Sequence, residues 1–221
     1  MTRHKCVLFD LDGTLVDSLA DLANSMNRVL TRQGLPSHPI HAYRYFVGDG
    51  IVKLVQRALP PEARQQDFIQ KCVREMRQEY ALHWADTTRP YPGIAELLEA
   101  LTNRGVQMAI LSNKPDPLTQ EVVKTLLPDW HFAAVAGAGE TIARKPNPAG
   151  ALRIANLLGR EPADFLYVGD TNTDMQTARA ARMFAIGALW GFRTADELKE
   201  NGAQALLSVP IDLFPLLDHT P

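Results

Sequence analysis
Short apolar runs of four to six residues recur along the chain: Cys6 to Phe9, Val106 to Leu111, Phe132 to Val135, Phe165 to Val168, Phe184 to Leu189 and Ala205 to Val209. Runs this short, apolar at consecutive rather than alternate positions, predict strands covered on both faces. They are separated by stretches with apolar positions three and four apart, Ile94 to Arg104, Leu118 to Leu127, Pro148 to Leu158 and Asp174 to Arg182. Such spacing predicts helices that bury one face. Strands alternating with helices are the pattern of right-handed βαβ units, so the expected fold is α/β, a doubly wound parallel sheet with a Rossmann-like core.

The first run breaks the alternation. After Asp10 about eighty residues pass before strands and helices begin to alternate near Tyr91, and three helical stripes fill the gap. They are Leu19, Leu22, Ala23, Met26, Val29 and Leu30; then Ile51, Leu54, Val55, Ala58 and Leu59; then Ile69, Cys72, Val73, Met76, Tyr80 and Trp84. Each stripe repeats at about 3.6 residues, the helical period. Residues 17–87 therefore read as an inserted helical cap, able to act as a lid, and residues 1–16 and 88–221 as the core. Ser18 and Asp21 have the spacing of a capping box for the first cap helix, and Asp49, between Gly48 and Gly50, reads as the N-cap of the second.

Composition narrows the function. At 221 residues, 46% of them apolar and 22% charged, the chain can bury one sizeable core plus an insertion. A net charge of -2, with no run of basic residues, lacks the electrostatic footprint of a nucleic-acid binder. No apolar stretch reaches the roughly eighteen residues a membrane span needs, and the one near the N-terminus is too short for a signal-peptide core. A cytoplasmic protein acting on a small ligand, as a monomer or homodimer, is expected. Cys6 and Cys72 form no metal-type pair, and the histidines, scattered from His4 to His219, never stand four apart, so zinc is not expected.

Candidate chemistry sits where the strands end, which in such sheets is where ligands bind. The first run leads into Asp10-Leu11-Asp12-Gly13-Thr14, so two carboxylates leave one strand two residues apart while Gly13 permits a sharp turn. Asp-Gly alone is also an ordinary turn signal. A later run leads into Gly169-Asp170-Thr171-Asn172-Thr173-Asp174, a second acidic turn. Carboxylates converging there need a cation, and an all-oxygen donor set selects a hard ion such as magnesium. Asp174 can serve instead, or as well, as the N-cap of the helix beginning at Met175. Ser112 and Asn113, after the run ending at Leu111, offer a hydroxyl and an amide suited to an anion, although capping alone would explain Ser112. Lys145 precedes Pro146, which restricts it to extended backbone, while Asn147 and Pro148 suit the N-cap and first position of a helix.

In order and placement, Asp10-Leu11-Asp12-Gly13-Thr14, Ser112-Asn113, Lys145 and Gly169-Asp170 with Asp174 resemble the motifs of the haloacid dehalogenase-like hydrolase superfamily. The resemblance spans nearly the whole chain. It implies that Asp10 is a nucleophile forming an aspartyl-phosphate and that Asp12 is the acid and then the base of the two half-reactions. It also implies that Lys145 neutralises the transferring group, with Ser112 and nearby amides completing the cradle. Magnesium would be held by Asp10, the Asp12 carbonyl and Asp170, with Asp174 assisting through water or by orienting Lys145. Dehalogenases of the superfamily lack the second aspartate that Asp12 supplies, and Thr14 stands where mutases often carry valine, so a phosphatase is implied.

In the cap, Asp17 to Leu22 followed by Leu30 to Pro36, and Val47 to Ile51 followed by Leu54 to Leu59, are similar to phosphoglycolate phosphatases. The implied substrate is 2-phosphoglycolate, with a sugar-phosphate phosphatase, a pyrophosphatase or a β-phosphoglucomutase-like phosphomutase as alternatives. A non-catalytic phosphate-binding protein is a remote one, set against four intact acidic and basic stations.

Overall fold
The computed structural model describes residues 4–139 and 142–218, and His219 lies outside them. The chain divides into two compact units, one running to Val16 and resuming at Pro90, the other Asp17–Arg89.

The first unit is built on a six-stranded parallel sheet. Its strands are β1 (Cys6–Phe9), β4 (Gln107–Pro115), β5 (Ala134–Ala138), β6 (Phe165–Gly169), β7 (Phe184–Ala188) and β8 (Ala205–Leu207), ordered β5-β4-β1-β6-β7-β8. The short β2 (Val16–Asp17) and β3 (Arg89–Pro90) pair with each other outside this sheet. Cys6 of β1 stands beside Gln107 on one side and Phe165 on the other, so the first strand of the sequence is central in space. From β1 the chain winds through β4 and β5 to one edge, then returns and winds through β6, β7 and β8 to the other. The winding reverses at β1, and ligands of such sheets bind beyond the carboxyl ends of the strands at the reversal.

All four residues of β1 are fully buried. Cys6, Leu8, Ala109, Leu111, Phe165, Tyr167 and Ala185 share one cluster with residues of α6 (Ala149–Leu157), α7 (Asn172–Ala180) and α8 (Ala195–Glu200). The alternate set Val7, Phe9, Met108, Ile110, Leu166, Val168 and Ile186 faces the other way and is equally buried, with α4 (Ile94–Asn103) against β4. This is why the strands carry no polar alternation. Helix α5 (Asp116–Leu126) links β4 to β5, and α9 (Phe214–Asp218) is the last described helix. The fifth strand begins two residues later than the run Phe132 to Val135 suggests and continues through Ala136, Gly137 and Ala138. Gly137 lies so close to the Asp116 backbone that a side chain would overlap it, and its N–H donates to Asp116 Oδ1 at 2.7 Å.

The second unit contains α1 (Leu19–Arg32), α2 (Ile51–Ala58) and α3 (Gln66–His83), with α3 packed on both others. Met26, Val29, Leu30, Leu54, Val55, Cys72, Val73, Met76 and Tyr80 are its core. Two local expectations are corrected. Ser18 makes no side-chain cap, and Asp21 closes no capping box. The buried Asp21 carboxylate instead accepts hydrogen bonds from the backbone N–H and the hydroxyl of both Thr87 and Thr88, at 2.5–3.0 Å, while the Leu19 N–H goes to Asp17 Oδ1. Asp49 does not cap α2, whose N-cap is Gly50; it is paired with Arg57 of that helix. In both cases a charged side chain found stronger donors than the local backbone. No helix among the described residues is long and apolar enough to cross a membrane.

Candidate active site
Strand β1 ends by donating the Asp10 N–H to the Val168 carbonyl at 2.9 Å, which aims Asp10 out of the carboxyl edge of the sheet. The chain then turns through Gly13, whose φ of +90° lies in the left-handed region. Only glycine suits this position, since a Cβ would overlap the Asp170 carboxylate and the Phe192 ring. The turn is pinned to the second acidic loop: Thr14 Oγ1 donates to Asp170 Oδ1 at 2.9 Å, and Trp190 Nε1 donates to the Thr14 carbonyl at 2.9 Å. The other Asp170 oxygen accepts the Phe192 N–H at 2.8 Å.

Asp170 follows β6, and α7 begins two residues later. The helix therefore starts before Met175: Thr171 is the N-cap, and Asp174 occupies the third helical position. Its Oδ2 accepts the Thr171 N–H and hydroxyl at 3.0 and 2.6 Å, so Asp174 is part of a capping arrangement rather than the cap residue itself. Its Oδ1 accepts Lys145 Nζ at 2.6 Å. Lys145 also lies 2.7 Å from Asp10 Oδ1, bridging the first and last stations. Its backbone is held by Asn113, whose Oδ1 accepts the Lys145 N–H at 2.8 Å and whose Nδ2 donates to the Lys145 carbonyl at 3.2 Å. The Asn113 carboxamide, read from sequence as an anion donor, thus positions the lysine. The Lys145–Pro146 peptide is cis. Pro148 already has helical dihedrals, and Asn147 Oδ1 takes the Ala149 N–H at 2.9 Å, as a capping side chain does.

Asp10, Asp170 and Asp174 place carboxylate oxygens within 4.8 Å of one another, all buried. Burial, then the Asp174 charge, pushes the Asp170 carboxyl up to about 7, against the Phe192 N–H and the Thr14 hydroxyl. Asp10 is raised well above the usual carboxylate range, first by burial and then by Asp174, with Lys145 opposing. Burial works against the Lys145 ammonium, but Asp10 and Asp174 outweigh it and hold its proton more tightly than usual. With all three carboxylates ionised, the one ammonium leaves two negative charges uncompensated. A divalent cation would balance them, and a donor set made only of oxygens fits a hard one.

Sequence reasoning missed Lys114. Its Nζ lies 2.7 and 2.9 Å from the two oxygens of Asp12, and its side chain is only 3% exposed. Ser112 is buried beside it, its Oγ accepting the Lys114 N–H at 3.2 Å. The strand continues through Pro115, so Ser112, Asn113 and Lys114 belong to β4, and α5 follows from Asp116.

A family model described as haloacid dehalogenase-like hydrolase matches residues 7–188, a span that holds the strand-end carboxylates, Ser112 and Lys145. The chain belongs to that family. Among relatives of this haloacid dehalogenase-like hydrolase, the phosphoglycolate phosphatase of Aquifex aeolicus is 32% identical over 215 residues, 97% of each chain. That of Chromobacterium violaceum is 33% identical over 218 residues, again 97% of each. The crystal structure of a protein put forward as a phosphoglycolate phosphatase of Lactobacillus delbrueckii subsp. bulgaricus covers 100% of both chains with a TM-score of 0.93 at 29% identity. The hydrolase thus shares its fold and nearly its full length with these relatives.

Proposed function
We propose that this protein is a magnesium-dependent phosphatase that hydrolyses a small phosphate monoester, 2-phosphoglycolate, through an aspartyl-phosphate on Asp10. The observation that carries the reading is the Lys145 bridge between Asp10 and Asp174 beside Asp170, at the carboxyl edge of the sheet. The phosphoglycolate phosphatases among its relatives support the substrate.

Among the described residues, the contacts to the Asp10 carboxylate, from the Leu11 N–H at 2.7 Å and from Lys145, fall on Oδ1, and Oδ2 is the oxygen we assign to attack on phosphorus. Attack by Asp10 splits one difficult hydrolysis into two transfers. Lys145 offsets charge on the transferring group, and Ser112 supports the cradle. Asp12 delivers a proton to the departing alkoxide and in the second half-reaction removes one from the water that attacks the aspartyl-phosphate. Asp10, Asp170, Asp174 and the Asp12 carbonyl would hold magnesium. When bound, the ion supplies the positive charge that keeps Asp10 ionised and offsets the phosphoryl oxygens. The two cysteines are buried and free, in keeping with our placement of the enzyme in the cytoplasm.

The test is phosphate release from a panel of phosphoglycolate, sugar phosphates, pyrophosphate and nucleotides, with magnesium or chelator, for wild type and Asp10→Asn. Magnesium-dependent release that the substitution abolishes, greatest with phosphoglycolate, is expected. Isomer formation from a sugar phosphate without release would make the protein a mutase.

A further inference from the structure
Each of the two carboxylates leaving β1 is held by its own buried lysine, Asp10 by Lys145 and Asp12 by Lys114. We propose that Lys114 is a positioning residue for the reaction: its ammonium fixes the Asp12 carboxylate in the orientation from which Asp12 exchanges protons. This rests on the reading of Asp12 as the proton-transfer group and adds to it the residue that holds Asp12 in place.

Lys114 is itself rigidly installed. It lies where β4 becomes irregular, the register with β5 shifting between Leu111 and Pro115. Its N–H is taken by Ser112 Oγ at 3.2 Å, and its carbonyl accepts the hydroxyl of Thr119 in α5, also at 3.2 Å. Contact with both Asp12 oxygens fixes the rotation of the carboxylate as well as its direction, whereas contact with one would leave the plane free to turn. Asp12 is the more open partner, its side chain 19% exposed against 3% for Lys114, so the lysine is the fixed member of the pair.

Stability alone does not account for the arrangement. Taking an ammonium out of water is costly, and a buried ion pair replaced as a whole by apolar side chains often serves the fold as well. Lys145 already supplies the cation that faces Asp10. A second buried ammonium faces instead the carboxylate that the proposed mechanism uses for proton transfer in both half-reactions. Misplacing a reacting group by about 1 Å can cost about 100-fold in rate, so the orientation of Asp12 is worth this expense.

The test compares wild type, Lys114→Met, Lys114→Arg, Asp12→Asn and the double variant Lys114→Met/Asp12→Asn. The readout is kcat/KM with phosphoglycolate, whose alkoxide must be protonated to leave, and with p-nitrophenyl phosphate, whose leaving group needs no proton. Lys114→Met is expected to lose about 10- to 100-fold on phosphoglycolate but within about 3-fold on the aryl ester, with Lys114→Arg restoring most of the loss. In the Asp12→Asn background the same change is expected to cost nothing further. The ratio of the two esters is internal to each sample, so a partly folded variant still reports. Equal losses on both esters, or a full loss on top of Asp12→Asn, would overturn the positioning role. Wild-type kcat/KM for Asp12→Asn on phosphoglycolate would instead overturn the reading of Asp12, and the proposal with it.

Discussion

Asp170 should make the metal-free protein less stable as pH rises, a direction opposite to that of an ordinary paired carboxylate. Its proton affinity corresponds to about 7 in the folded chain, against an ordinary value of 3.8. Between those values the folded state holds a proton that the unfolded state has released. Stability therefore falls with pH, by about 1.4 kcal/mol per unit. The stabilisation is fully present below about 4, declines through the window and is gone above about 7, a total of about 4 kcal/mol. About 2.5 kcal/mol of it falls between pH 5 and pH 7.5. Other groups act the other way: Asp21 and Glu79, both lowered, lose their contributions as pH falls. The raw curve mixes all of these, so the measurement is a difference. Urea unfolding of wild type and Asp170→Asn in chelator, at half-unit steps of pH, reads the group together with its influence on Asp10, which is raised as well and acts in the same direction. The asparagine keeps an acceptor for the Thr14 hydroxyl but turns its amide toward the Phe192 N–H, a cost of about 1–3 kcal/mol that does not vary with pH. The wild-type advantage should shrink by about 2.5 kcal/mol across the range in chelator, and by much less with excess magnesium if the ion binds the carboxylate as proposed. A difference constant to within about 1 kcal/mol in chelator would refute the argument that burial and Asp174 dominate at Asp170.

Three further substitutions probe separate parts of the structure. Gly13→Ala places a methyl group into the Asp170 carboxylate and the Phe192 ring at a φ of +90°, so magnesium affinity measured by calorimetry should fall at least about 10-fold; unchanged affinity would show that the turn does not place Asp170. Asp21→Ala strips Thr87 and Thr88 of a shared acceptor and should cost about 2–4 kcal/mol by urea unfolding at neutral pH, less as pH falls through the lowered Asp21 value; a loss below about 0.5 kcal/mol would mean that the threonines find other partners. Leu30→Ala removes a fully buried side chain between the helices of the second unit and should cost about 2–5 kcal/mol, read as a lower urea midpoint.

What was legible in the sequence follows from which signals are local. Strand β1 is bounded as its apolar run suggests, because every residue from Cys6 to Phe9 is buried and the first polar side chain is Asp10. The acidic turns are legible for the same reason, since an abrupt change from apolar to acidic marks a strand end facing a site. The local capping signals at Asp21 and Asp49 misled because each carboxylate has a competing partner, Thr87 and Thr88 at 66 and 67 residues from Asp21 and Arg57 at eight from Asp49, while the Ser18 hydroxyl makes no hydrogen bond among the described residues. The two lysines make the same point from opposite sides. Lys145 stands out beside Pro146, in a loop between a strand and a helix, where a charged residue has room for a role. Lys114 looks like an ordinary solvated charge after Asn113, because lysine is seldom buried without a partner and its partner, Asp12, is 102 residues away. A lysine immediately following an apolar strand and a Ser-Asn pair carries one usable signal: the strand can run on through it, as β4 does, and a strand that stays buried must find its lysine a carboxylate. Of the acidic residues at the neighbouring strand ends, Asp10, Asp170 and Asp174 already share a cluster with Lys145, which leaves Asp12 as the carboxylate to look for.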